Sequence, residues 1–114
     1  MGPSILLVDD DEESTSLLKL ILEAEGYDTE TASTAAEAYD KAGRRKFDLV
    51  LLDYVLGDAS GDEAAARLRE ECLGIRVVLL SGVNSDKVKN EVYDAVLLKP
   101  VSPDVLLRTI RESL

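Results

Sequence analysis

Four short apolar runs interrupt an otherwise polar sequence, at positions 5–8, 49–52, 77–80 and 95–98. Each run has about the length of a β-strand, and none of them alternates apolar with polar side chains. Uninterrupted apolar runs are typical of strands that are covered on both faces of a parallel sheet. A weaker segment at 27–32 places Thr29 and Thr31 among charged or polar neighbours. This segment predicts a fifth strand, at the edge of the sheet.

Helical patterns separate the predicted strands. A first helix is indicated by an apolar stripe that ends before Gly26, formed by Leu17, Leu18, Ile21 and Leu22. Four further helices are indicated by N-cap residues, which are Thr34, Ser60, Ser85 and Ser102. The first two of these caps are followed three residues later by glutamate, which is the spacing of a capping box.

Strand and helix therefore alternate five times along the chain. This order predicts a parallel sheet with helices on both faces, joined by right-handed crossovers. The last predicted helix begins at Pro103, and the fourth, near residues 86–91, is short. We expect one domain over residues 1–114, since no linker or low-complexity stretch divides the sequence.

Polar side chains follow four of the predicted strands. Asp9 and Asp10 follow the first apolar run, and Asp53 follows the run at 49–52. Ser81 and Lys99 follow the runs at 77–80 and 95–98. Because ligands bind beyond the carboxyl ends of parallel strands, we expect these five side chains to share one edge of the sheet.

Three neighbouring carboxylates repel one another when all are ionised. A magnesium ion would relieve that repulsion, since Mg²⁺ prefers oxygen ligands and is commonly held by carboxylates together with phosphate oxygens. An aspartate carboxylate can attack phosphorus, and a lysine and a hydroxyl can stabilise the charge on the transferred group. The residues alone leave open which aspartate would take the first task, and Lys99 and Ser81 suit the second.

Charge and composition exclude several other functions. The 114 residues carry a formal net charge of −10, which disfavours binding to nucleic acid or to an anionic membrane surface. The chain has no histidine, so catalytic triads that use histidine are excluded. Its one cysteine, Cys72, and the absence of a signal-peptide pattern are consistent with a cytoplasmic location.

The strand-end motifs resemble those of a two-component response-regulator receiver domain. They are Ile-Leu-Leu-Val-Asp9-Asp10-Asp, Leu-Val-Leu-Leu-Asp53, Leu-Leu-Ser81-Gly and Leu-Leu-Lys99-Pro100. Gly61, eight residues after Asp53, also matches the family's loop. The resemblance covers essentially the whole chain and implies a doubly wound α/β fold of the (βα)5 flavodoxin-like type, with strand order 2-1-3-4-5.

The resemblance also implies roles for the site residues. Asp53 would be the phosphoacceptor, and Mg²⁺ would be held by Asp9, Asp10, Asp53 and the backbone carbonyl of Val55, with Asp10 a more direct ligand than Asp9. Ser81 would be the switch hydroxyl, and Lys99 would contact the phosphoryl group. The Lys99–Pro100 peptide bond would be cis.

The implied partners are a sensor histidine kinase or a histidine phosphotransfer protein, and a downstream protein that the sequence does not identify. The domain would catalyse its own phosphorylation and would act as a monomer or as a phosphorylation-dependent dimer. An aspartate-nucleophile phosphohydrolase is one alternative, but Val55 stands where such enzymes usually carry a second aspartate. A pseudo-receiver that binds partners without phosphorylation is another.

Three positions depart from the family pattern. The usual proline four residues after the phosphoacceptor is Gly57, which predicts a looser loop. The aromatic switch position, three residues before the lysine, is Val96. The segment between Ser81 and Lys99 is about one helical turn shorter than usual, so we expect a short or irregular fourth helix.

Overall fold

The computed structural model describes residues 2–82 and 90–114. Its five strands are β1 (Ser4–Val8), β2 (Asp28–Ala32), β3 (Leu49–Asp53), β4 (Arg76–Ser81) and β5 (Ala95–Leu98). They form one parallel sheet in the order β2-β1-β3-β4-β5, which confirms the predicted fold and the edge position of the strand at 27–32.

Four α-helices of the described residues connect or follow these strands. They are α1 (Glu12–Ala24), α2 (Ala35–Arg44), α3 (Gly61–Glu71) and α4 (Pro103–Ser113). A 3₁₀ helix at Asn90–Val92 precedes β5. Most of the helix predicted near 86–91 lies outside the described residues.

The core consists of two apolar layers, one on each face of the sheet. Successive residues of β1 point to opposite faces, so Leu6 and Val8 belong to the layer under α2 and α3, whereas Ile5 and Leu7 belong to the layer with α1 and α4. All four side chains are at most 1% exposed. Burial on both faces explains why the strand sequences do not alternate.

Two predictions about the helices need correction. Leu17 was expected in the buried stripe of α1 but is 60% exposed, because α1 packs on the sheet through Leu18 and Leu22, and Leu17 lies at the edge of the stripe. The capping box predicted at the start of α2 is only half formed. Thr34 accepts from the N–H of Glu37, but the Glu37 carboxylate accepts from Ser33 instead.

The capping box at the start of α3 is confirmed, since Ser60 and Glu63 bond each other's backbone N–H groups.

The strand order reverses direction between β1 and β3, and such a reversal opens a crevice at the carboxyl ends of the two strands. Among the described residues, no helix has the length and apolar character needed to cross a membrane.

Candidate functional site

The carboxyl ends of β1 and β3 bring three carboxylates together. The two strands are adjacent, with Val8 opposite Leu52, so Asp9 and Asp53 leave the sheet side by side. One carboxylate oxygen from each of Asp9, Asp10 and Asp53 lies within 4.8 Å of the other two. The sequence prediction that these residues would converge is therefore confirmed by the geometry.

Asp9 is the most enclosed of the three, with 8% of its surface exposed. Its backbone N–H donates to the carbonyl of Ala32 at 3.1 Å, and its Oδ1 accepts from the N–H of Asp11 at 3.0 Å. Burial raises the pKa of the Asp9 carboxyl, and the negative charges of Asp53 and Asp10 add to the rise. The hydrogen bond from Asp11 and the charge of Lys99 oppose it.

Lys99 reaches this cluster from the end of β5. Its backbone N–H donates to the carbonyl of Ser81 at 2.8 Å. Its Nζ donates to Asp53 Oδ1 at 3.0 Å and lies 3.7 Å from Asp9 Oδ2. The peptide bond to Pro100 is cis, as expected.

The ammonium of Lys99 is held in its charged form. Its partial burial by itself would lower the pKa, but the hydrogen bond to Asp53 and the charges of Asp53 and Asp9 outweigh that effect and raise the pKa. One lysine cannot neutralise three carboxylates. The cluster therefore keeps an excess of negative charge, which favours a divalent cation.

Ser81 ends β4 beside this cluster, and its side chain is inaccessible to solvent. Asp53 lies opposite Leu80 in the sheet, so Ser81 is one residue beyond the end of that pairing. This position places Ser81 at the same edge as the carboxylates. Its role as a switch hydroxyl stays a prediction.

The loop of residues 54–60 follows Asp53 and leads into α3. Tyr54 donates its backbone N–H to Asp53 Oδ1 at 3.0 Å, which orients that carboxylate. The Val55 side chain is 60% exposed, and Val55 forms an isolated antiparallel bridge with Ser60. The role of the Val55 carbonyl as a metal ligand also stays a prediction.

Two contacts of this region were not predicted from the sequence. Tyr93 is 8% exposed and donates its hydroxyl to Asp62 Oδ1, in the first turn of α3, at 2.7 Å. Asp58, in the loop, accepts from the backbone N–H groups of Ala35 and Ala36 at the start of α2. No local pattern marks either contact, since the partners lie 22 to 31 residues apart.

Val96, at the position expected to be aromatic, is partly buried and packs against the apolar layer that also contains Tyr93. The segment before Lys99 does contain an aromatic ring, that of Tyr93. Its hydroxyl donates a hydrogen bond to Asp62. Burial raises the pKa of the Tyr93 hydroxyl far above its usual range, and the hydrogen bond and charge of Asp62 raise it further. Tyr93 is therefore a neutral hydrogen-bond donor.

The donor set that the described residues bring together fits Mg²⁺, because it consists of three convergent carboxylate oxygens. Asp10 is exposed and Asp9 is buried. That Asp10 is a more direct ligand than Asp9 stays a prediction. When bound, the ion would neutralise the carboxylates and stabilise negative charge on an incoming anion.

Comparisons with known proteins point to one family. A family model described as the response regulator receiver domain matches residues 5–111. The alkaline phosphatase synthesis transcriptional regulatory protein PhoP of Bacillus subtilis is 39% identical over 97 residues, covering 85% of this chain and 38% of its own length.

Solved structures agree. A CheY-like receiver domain protein from Methanospirillum hungatei is 35% identical, with a TM-score of 0.92 over 98% of this chain and 93% of its own. The response regulator protein TrrA from Thermotoga maritima, crystallised with Mg²⁺ and BeF, is 30% identical, with a TM-score of 0.91 over 99% of this chain and 100% of its own.

The chain spans less than half the length of the curated relatives it matches. It covers 38% of PhoP and 46% of the transcriptional regulatory protein SrrA of Staphylococcus aureus. The similarity therefore concerns one domain of those longer proteins.

Proposed function

This chain belongs to the response regulator receiver domain family, and on that premise we propose that Asp53 is its phosphoacceptor. The donor would be a phosphohistidine on a sensor histidine kinase or a histidine phosphotransfer protein. The observation that carries the proposal is the 3.0 Å hydrogen bond from Lys99 Nζ to Asp53 Oδ1, at the edge where Asp9 and Asp10 also converge.

The proposed reaction is a transfer of one phosphoryl group. A carboxylate oxygen of Asp53 attacks phosphorus as the P–N bond of the phosphohistidine breaks, and the electron pair of that bond returns to the imidazole nitrogen. The product is an acyl phosphate on Asp53 and a free histidine on the donor. No oxidant or further reactant is needed.

Each neighbouring side chain has a task in that transfer. Lys99 Nζ, which donates to Asp53 Oδ1 at 3.0 Å, would donate to a phosphoryl oxygen instead and stabilise its negative charge. The hydroxyl of Ser81 would donate to a second phosphoryl oxygen. Asp9, Asp10, Asp53 and the carbonyl of Val55 would hold Mg²⁺, which supplies charge neutralisation during the transfer.

A groove beside the site is the proposed docking surface for the phosphodonor protein. It is lined by Leu17, Leu18, Pro100 and Val101, next to Asp9 and Lys99. Leu17 is 60% exposed although leucine is costly to leave in water, and the groove is continuous with the phosphoacceptor site. A protein that delivers a phosphoryl group to Asp53 would cover this apolar surface.

The remaining parts of the proposal concern context. One receiver domain occupies residues 1–114, and phosphorylation of Asp53 changes the affinity of its surface for a downstream protein. The domain acts as a monomer or as a phosphorylation-dependent dimer. A cytoplasmic location is part of the proposal, and the single, unpaired cysteine Cys72 favours a reducing compartment.

The first test is the intact mass of the protein after incubation with acetyl phosphate and Mg²⁺. We expect the addition of one phosphoryl group, which is lost when Mg²⁺ is chelated and lost in Asp53→Asn. Equal uptake by Asp53→Asn would overturn the assignment of the phosphoacceptor. A folded wild-type protein that takes up nothing from either acetyl phosphate or a panel of phosphorylated histidine phosphotransfer proteins would favour a pseudo-receiver.

The docking surface has a separate test. Leu17→Glu places a charge in the apolar groove but leaves the carboxylate cluster intact. We expect transfer from a phosphorylated histidine phosphotransfer protein to slow by about tenfold or more, because a charged side chain must then be desolvated on docking. Phosphorylation by acetyl phosphate should not change. Equal slowing with both donors would mean that Leu17 maintains the structure of the phosphoacceptor site and is not a docking contact for the phosphodonor protein.

A further inference from the structure

The loop of residues 54–60 carries the proposed ligand carbonyl of Val55 and needs a fixed position. Hydrogen bonds close its base, from the N–H of Gly61 to the carbonyl of Tyr54 and from the N–H of Leu56 to the carbonyl of Ala59. At its tip, Gly57 has open space where a side chain would be, so the tip is not restrained by packing at that residue.

Asp58 ties this tip to α2. Its Oδ1 accepts from the N–H of Ala35 and its Oδ2 from the N–H of Ala36, both at 2.9 Å. A helix leaves its first N–H groups without partners inside the helix, and here Thr34 satisfies only the third, that of Glu37. Asp58 therefore satisfies the first two, from a position 22 and 23 residues along the chain.

The two partners of this contact differ in how firmly they are held. Helix α2 is fixed by its own cap at Thr34 and by Ala35 and Ala38, which are buried in the core. The loop tip is exposed and contains Gly57. The contact consequently fixes the loop against the helix more than it fixes the helix against the loop.

The ionised form of the Asp58 carboxyl is favoured by its surroundings at the start of α2. The two backbone donors hold the pKa of the Asp58 carboxyl below its usual range. A carboxylate at a helix N-terminus is also favoured by the helix dipole. Asp58 is thus ionised at neutral pH, with both oxygens engaged.

We infer that Asp58 is a positioning residue for phosphorylation, which holds the loop after Asp53 in the geometry that the reaction needs. Groups that must meet in a fixed geometry lose rate when their support is loosened, because the reaction then includes the cost of ordering them. This role rests on the proposed function, since it assumes that Asp53 is the phosphoacceptor.

The test compares Asp58→Ala with Thr34→Ala. Both variants remove a side-chain cap from the first turn of α2, but only Asp58→Ala releases the loop. Amide hydrogen exchange of the metal-free protein gives the first readout. We expect the N–H groups of Leu56 and Gly61 to exchange faster in Asp58→Ala and at the wild-type rate in Thr34→Ala.

Phosphorylation by acetyl phosphate across a range of Mg²⁺ concentrations gives the second readout. We expect the half-saturating Mg²⁺ concentration to rise about tenfold in Asp58→Ala, which is the lower end of the effect of removing a residue that orients metal ligands. Asp58→Asn keeps one acceptor oxygen and should lie between Asp58→Ala and the wild type. Thr34→Ala should leave the half-saturating concentration unchanged.

Two outcomes would overturn the inference. One is loop exchange that stays at the wild-type rate in Asp58→Ala. The other is an equal shift in Mg²⁺ dependence for Asp58→Ala and Thr34→Ala, since this would mean that only the stability of α2 matters. If wild-type protein takes up no phosphoryl group from either acetyl phosphate or the phosphotransfer proteins, the proposed function fails, and hydrogen exchange still decides whether Asp58 holds the loop.

Discussion

Gly61 begins α3 at a point where the backbone runs close to the phosphoacceptor. A Cβ atom added at this residue would lie 2.9 Å from the Cα of Tyr54, 3.1 Å from the carbonyl oxygen of Asp53 and 3.1 Å from the hydroxyl of Tyr93. Two of these three neighbours are backbone atoms, which cannot turn aside as a flexible side chain could. We therefore expect Gly61→Ala to push the segment after Asp53 out of place.

The size of the effect follows from two opposing contributions. Alanine in place of glycine inside a helix stabilises the folded protein by about 0.5–1 kcal/mol. Adding a methyl group to a tightly packed position costs about 1–3 kcal/mol. We expect the cost to exceed the gain and Gly61→Ala to lower the free energy of unfolding by about 1–2 kcal/mol, or the Tm by about 4–8 °C for a chain of this size.

Gly43→Ala is the matched control. Gly43 lies in α2, and a Cβ there meets nothing within 4 Å. The same substitution should therefore stabilise the protein, by about 0.5–1 kcal/mol. Urea unfolding followed by circular dichroism measures both changes, and the slope of the transition should match the wild type in both variants.

Gly61→Ala should also slow phosphorylation by acetyl phosphate by about tenfold or more, since small displacements of a reacting group carry large penalties. Gly43→Ala should react at the wild-type rate. Stabilisation of the protein by both substitutions would refute the close approach at Gly61. A destabilised Gly61→Ala that reacts at full rate would show that the displaced segment does not hold Asp53.

Three further predictions concern groups outside the carboxylate cluster. Tyr93→Phe removes the hydroxyl that donates to Asp62 at 2.7 Å, and it should lower the free energy of unfolding in urea by about 1–2 kcal/mol. The control, Tyr27→Phe, should have a free energy of unfolding within about 0.5 kcal/mol of the wild type. Burial, with the charge of Glu71, raises the pKa of the Cys72 thiol, so iodoacetamide at pH 8 should modify the folded protein more slowly than the urea-unfolded protein, and an equal rate would contradict this. Because the pKa of Asp58 is lowered on folding, its stabilising effect should be complete above the unfolded value of about 4 and be lost as the pH falls through the folded value. The pH dependence of unfolding between about pH 5 and pH 2 should accordingly be weaker in Asp58→Asn than in the wild type.

The strand ends are the part of the site that the sequence predicts well. Apolar runs mark the strands, a parallel sheet aligns their carboxyl ends, and the residues that follow must then meet. Asp9, Asp53 and Lys99 could be placed at one edge for this reason, although they are far apart in the chain, and Lys99 Nζ is indeed 3.0 Å from Asp53 Oδ1.

Contacts between a loop and a helix are not predicted in this way. Asp58 carries no local pattern that points to Ala35, because the contact depends on how the loop folds back over α2. The same holds for Tyr93 and Asp62. At the start of α2, the spacing of Thr34 and Glu37 matches a capping box. The Glu37 carboxylate, however, accepts from the backbone N–H and the hydroxyl of Ser33 and not from the N–H of Thr34.

Burial within one helix shows a similar limit. The stripe of α1 correctly indicates Leu22 as a core residue but gives Leu17 the same weight. Leu22 packs into the apolar layer on the sheet together with Leu18, whereas Leu17 lies at the edge of the stripe. Such differences depend on tertiary packing, which hydrophobic periodicity does not describe.

The central claim, that Asp53 accepts the phosphoryl group, is tested most directly by mapping the modified residue. Protein treated with acetyl phosphate and Mg²⁺ is reduced with borohydride, which converts an aspartyl phosphate to homoserine, and its peptides are sequenced by mass spectrometry. We predict homoserine at position 53 and unmodified aspartate at positions 9 and 10. Homoserine at either of those positions, with Asp53 intact, would contradict the account.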